Sequence, residues 1–82
     1  MTMSAQETWH ALSLLNGADH LRLLQAAEPE IAGTRYAAPE ELVADALAAA
    51  AQGGRPWRRG EPFMQYLLDT LRRVAADAQR AP

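Results

Sequence analysis

Between Pro39 and Asp77 the chain carries two helical periodicities of unlike charge, divided by a break that no helix crosses. The first, PEELVADALAAAAQ, repeats Leu42, Val43, Ala46, Leu47 and Ala50 at helical spacing and sets Glu41, Asp45, Ala48 and Gln52 on the other side. Pro39 suits the first turn of this helix, and Glu40 and Glu41 complement the positive end of its dipole. Gly53-Gly54 stops it, and Arg55, Trp57, Arg58 and Arg59 then follow within five residues. Gly60-Glu61-Pro62 starts the second helix, which the periodicity carries to about Gln79. Its apolar stripe is Phe63, Leu67, Leu71, Val74 and Ala78, widened by Met64, Leu68 and Ala75. Gln65, Asp69, Arg72, Arg73, Ala76 and Arg80 lie toward the outside. Each helix owns one apolar face and must bury it against another element, so the segment selects a layer of packed helices.

Two further helices are expected upstream. Ser4 reads as an N-cap, with Glu7 three residues later completing a capping box. The helix it opens runs from about Ala5 to Leu15, buries Trp9 and Leu12, and stops at Asn16-Gly17. A second runs from about Ala18 to Glu28, with Leu21, Leu24 and Ala27 in its stripe and Leu23 broadening it. Pro29 lacks a backbone donor and its ring clashes with the preceding turn, so the helix ends near Glu28 or restarts for one turn to Ile31. Gly33 and Thr34 lead into a loop that includes Tyr36. No strand alternation or internal repeat is visible. The expectation is one all-α domain over residues 1–82, a bundle of about four helices.

Size and composition limit what such a bundle can do. At 82 residues the chain is shorter than the usual domain of about 100–200 residues and buries about 60–65% of its unfolded surface. Of its apolar residues 18 are alanine and only 11 are leucine, so the core is one thin layer without a deep substrate cavity. Cysteine is absent, which excludes disulfides, thiolate zinc sites and cysteine nucleophiles. No apolar run approaches the roughly 18 residues that cross a membrane, and no signal-peptide pattern opens the chain, so a cytoplasmic location is expected. His10 and His20 stand on different helices without metal-ligand spacing, Ser4 is used as a cap, and Ser13 has no base beside it in the sequence. Gly53-Gly54 follows a helix and lacks the Lys-Ser/Thr of a phosphate loop. Neither an enzyme nor a cofactor or metal site is expected.

Charge is distributed unevenly. Residues 1–52 hold seven acids against Arg22 and Arg35, a balance of −5, whereas residues 53–82 hold six arginines against three acids, a balance of +3. Such asymmetry points to separate partners for the two halves, or to attraction within one solvated surface. Arginine binds phosphate bidentately, and tryptophan stacks on an unpaired base at about 1–3 kcal/mol per base. The Arg55–Arg59 loop therefore has two readings: a nucleic-acid contact extended by Arg72, Arg73 and Arg80, or a Trp57 plug at the end of the core with solvated arginines around it. The net charge of −2 argues against tight autonomous DNA binding, because non-specific affinity scales with the phosphates neutralised.

At Glu41-Leu42-Val43-Ala44-Asp45 and Phe63-Met64-Gln65-Tyr66-Leu67-Leu68, through Leu71-Arg72-Arg73-Val74-Ala75-Ala76-Asp77, the chain resembles the second region of bacterial RNA polymerase sigma factors. It is most similar to the small extracytoplasmic-function type, one branch of which carries an Arg-Arg-Trp-Pro-like break comparable to Arg55-Pro56-Trp57-Arg58-Arg59. The resemblance spans about Ala18 to Asp77, leaving residues 78–82 as a tail. It implies that the acidic helix docks on the coiled-coil clamp helices of the largest polymerase subunit through Glu41, Leu42 and Asp45, with Glu40 adding charge. It further implies that Arg55, Trp57, Arg58, Arg59, Tyr66, Arg72 and Arg73 face the non-template strand of the minus-ten promoter element. The chain departs from the family at Ala44, where Gln is usual, at Asp45, where Glu is usual, and at Arg73, where Asn or Ser is usual. It also shows no second helix-turn-helix domain for the minus-thirty-five element, so upstream recognition would come from a partner chain or from a missing C-terminal segment. The alternative is a small helical adaptor or anti-activator that binds another regulatory protein, without DNA contact, through an apolar groove near Trp9 and Leu23; an exposed Leu14 or Leu23 would fit a dimer or a partner equally.

Overall fold

The computed structural model describes residues 1–80, with side chains to Gln79; the expected outward placement of Arg80 and the tail beyond it lie outside the described residues. Four α-helices follow in order: α1 (Ala5–Ser13), α2 (Gly17–Ala27), α3 (Pro39–Ala51) and α4 (Phe63–Arg80), with a single 3-10 turn at Glu28–Ile31 after α2. The expected all-α bundle is what the chain forms. α3 is its centre and packs against α1, α2, the 3-10 turn and α4. Its inward face buries Leu42, Val43, Ala46 and Ala50. From α4, Tyr66, Leu67, Leu68, Leu71, Ala75 and Ala78 complete the core, with Leu23 and Ala27 of α2 and Tyr36 of the connecting loop. Five of these thirteen core residues are alanines, which let helix backbones approach closely but supply little apolar area.

The two ends of α3 are fixed locally. Glu41 folds back and its Oε1 accepts from the N–H of Ala37 at 2.6 Å and of Ala38 at 3.2 Å, satisfying donors at the helix entry as a first-turn acid can. Gln52 closes the far end, and Gly53 at φ +72° supplies the left-handed residue after it. Pro29 sits inside the 3-10 turn, where its missing N–H costs nothing, so the second helix restarts to Ile31.

α1 and the start of α2 correct three sequence expectations. Trp9 is 60% exposed and the buried residue is Thr8. α1 packs on α3 with Thr8 beside Ala50 and Ala51 and Leu12 half-buried against the core, and the Thr8 hydroxyl is satisfied by donating to the Ser4 carbonyl at 3.1 Å. Asn16 does not stop α1; it caps α2, accepting from the Asp19 N–H at 2.9 Å while its own N–H donates to Asp19 Oδ2 at 3.2 Å. α2 consequently begins at Gly17, and its buried line is Leu23 and Ala27, leaving Leu21 55% exposed on the opposite side.

Candidate functional site

The outer side of α3 is the acidic surface. Glu40, Glu41, Ala44, Asp45 and Ala48 are exposed on it, whereas Leu42 is fully buried and cannot be a docking residue: its position on the helix points it into the core. Asp45 is engaged as well as exposed. Its Oδ2 accepts from the Tyr36 hydroxyl at 2.7 Å and lies 3.5 Å from Arg35 Nη2. Arg35 also lies over the Tyr36 ring, 4.8 Å from its centroid. Burial first, and then the bond donated to Asp45, push the Tyr36 phenol above its ordinary pKa. This cluster pins the loop before α3 against the acidic face. Glu40 forms no side-chain hydrogen bond or ion pair among the described residues.

The Arg/Trp loop is built around Arg55. Its guanidinium donates to the Tyr66 carbonyl at 3.2 Å and lies 3.6 Å from Glu61 and 3.7 Å from Asp69. In return the Tyr66 hydroxyl donates to the Arg55 carbonyl at 2.6 Å. Tyr66 is 1% exposed, so it is closed to a stacking base, and burial raises its phenol pKa. Trp57 donates its indole N–H to the Glu61 carbonyl at 2.7 Å and packs on Phe63 with ring centroids 4.7 Å apart. It is half-buried, which agrees with the reading of Trp57 as a plug at the end of the core. Gly60, at φ +90°, makes the turn that brings Glu61 back under both residues.

Of the remaining arginines, Arg59 pairs with Glu7 at 3.6 Å and Arg72 with Asp69 at 3.4 Å. The side chains of Arg58 and Arg73 have no acidic partner among the described residues, and together they line an open cleft of about 310 Å³ with Arg55, Pro56 and Glu61. The structure thus divides the seven arginine and aromatic candidates. Arg58 and Arg73 are free and exposed, Arg59 and Arg72 are exposed but paired, and Arg55, Trp57 and Tyr66 are taken up by the fold. The acids Glu61 and Asp69 were not singled out in the sequence. Their signal was their place next to three arginines, which a reading for phosphate contacts passes over.

A separate apolar groove of about 280 Å³ runs between α1, the start of α2 and α4, lined by Ala11, Leu14, Leu15, Asp19, Phe63 and Met64. Leu14 is 67% exposed there. Leu23, expected near such a groove, belongs to the core instead. Among the described residues no group of three His, Cys, Asp or Glu side chains could hold a metal ion, and no helix is long and apolar enough to cross a membrane. Comparison with protein-family models, with curated proteins and with solved structures finds no match to this chain.

Proposed function

We propose that this chain is a sigma-factor-like transcription regulator that docks on core RNA polymerase through the acidic face of α3. The observation that carries the reading is the polarity of that helix: Leu42, Val43 and Ala46 hold it in the core while Glu40, Glu41 and Asp45 stand outward in one strip. A basic surface on the polymerase clamp helices is the complement such a strip selects. Contact with minus-ten DNA is a second part of the proposal and rests on Arg58 and Arg73, with Arg59 and Arg72 available once their acids let go. Few phosphates can be neutralised by this set, so DNA is met weakly, inside a larger assembly.

Glu41 and Asp45 hold local structure, so changing them would confuse docking with folding. Glu40→Gln combined with Ala44→Arg alters the strip without touching a described bond. A binding measurement with core RNA polymerase should show a loss of at least about tenfold for this pair, with the thermal unfolding curve unchanged. Equal binding by parent and variant would remove α3 as the docking surface.

The exposed Leu14 and its groove support a second reading, an adaptor that binds another regulatory protein without DNA. Leu14→Glu distinguishes the two: it leaves polymerase binding intact under the first reading and abolishes partner capture under the second.

A further inference from the structure

The segment ahead of α1 is joined to the Arg/Trp loop by backbone bonds. The Met3 N–H donates to the Trp57 carbonyl at 2.7 Å, the Arg59 N–H donates to the Met1 carbonyl at 2.9 Å, and Thr2 and Arg58 form an antiparallel bridge between them. The Glu7–Arg59 ion pair at 3.6 Å ties the first turn of α1 to the same loop. Beneath this crossing lies a cavity of about 200 Å³ whose walls include Met3, Thr8, Ala50, Arg55, Trp57 and Tyr66. We infer that residues 1–3 are a releasable strap that shields the Arg/Trp loop, and that its release uncovers Trp57.

Three features make the strap separable from the bundle. It is held by a minimal two-stranded pairing, which is marginal in water without further strands or an apolar face. Its packing contribution is small, since Met1 is 98% exposed and Met3 only half-buried. The Glu7–Arg59 pair is also largely in solvent, with side chains 40% and 57% exposed, and such pairs hold weakly. The cap of α1 does not depend on the strap, because Ser4 and Glu7 bond to each other. Opening can therefore stop at Ser4, leaving α1 and its Glu7–Arg59 pair seated on α3. Such local opening ahead of global unfolding is expected of a segment with few buried contacts. The closed strap covers the Trp57 carbonyl and the Arg59 amide of the loop. Release makes the loop more accessible.

The test removes residues 1 and 2, so that Met3 starts the chain, in a Trp9→Phe background where Trp57 is the only tryptophan. Acrylamide quenching of Trp57 should rise about twofold, while the thermal midpoint stays within about 5 °C of the parent. Glu7→Gln, which keeps the cap but not the charge, should give an intermediate rise. In the parent chain, the Arg59 amide should exchange with solvent about a hundredfold faster than the amides of Leu67 and Leu71. Unchanged quenching, loss of the cooperative transition on truncation, or Arg59 exchange at the rate of the α4 core would each overturn the inference.

Discussion

Tyr66 and Arg55, eleven residues apart, exchange two bonds: the phenol donates to the Arg55 carbonyl and the guanidinium to the Tyr66 carbonyl. The pair spans the whole break between α3 and α4. Tyr66→Phe keeps the ring but orphans the Arg55 carbonyl, and should cost about 1–3 kcal/mol in urea unfolding. Titration gives a second check. Burial raises the phenol pKa of both Tyr36 and Tyr66, so the folded state favours their neutral form. Their contribution is full below about pH 10 and is lost as pH rises through the raised folded values. Phenolate absorbance should therefore appear at higher pH than for free tyrosine, and stability should fall in the same window. Neither tie was legible in the sequence. Tyr66 falls outside the apolar stripe read from the sequence, and its resemblance to a base-contacting position placed it toward DNA.

Among the elements, the caps separate what the sequence states from what packing decides. Ser4 and Glu7 form the capping box that their spacing specifies, and α3 starts at the expected Pro39. Asn16-Gly17 carries the residue types of a helix stop, but Asp19 three residues on completes a box with Asn16 and turns the signal into a start. Asn16→Ala should cost about 1 kcal/mol in chemical unfolding, with the loss of protection confined mainly to the first turn of α2. Glu7 adds a pH dependence at α1. The bond from the Ser4 backbone N–H is the largest influence holding its carboxyl below the usual carboxylate value. The cap contribution is thus present above about pH 4 and lost as pH falls through the lowered value. The Ser4 amide resonance should shift across that acid range, and Glu7→Gln should remove the shift while keeping α1. Trp9 was misplaced for a reason of packing: nine residues of helix offer one narrow seam, and Thr8 with Leu12 fills it. No local signal announces that the first three residues would pair with a loop more than fifty positions away.

At the scale of the whole molecule the bundle measures 34 × 27 × 17 Å across its Cα atoms, so its thinnest dimension holds about two layers of helix at the usual spacing of about 8–10 Å. That thinness was readable from the alanine content; the division of the arginines between core ties and free surface was not, because it depends on how Glu61 and Asp69 fold under the loop. It also makes the chain sensitive to any loss from its few large core residues. For 82 residues, a stability of about 0.05–0.15 kcal/mol per residue amounts to about 4–12 kcal/mol. Leu42 is fully buried at the centre of α3, and Leu42→Ala should remove about 2–5 kcal/mol. Circular dichroism should then show a much lower midpoint or a partly unfolded population at room temperature. Leu42 shares its helix with the acidic strip, so under the proposed docking this variant would lose binding through unfolding and would say nothing about the docking surface. Glu40→Gln with Ala44→Arg lies on the same helix at exposed positions and should leave the unfolding curve in place. A chain whose binding follows Leu42 but not Glu40 and Ala44 needs only its fold at α3; one whose binding follows both uses that face as its docking surface.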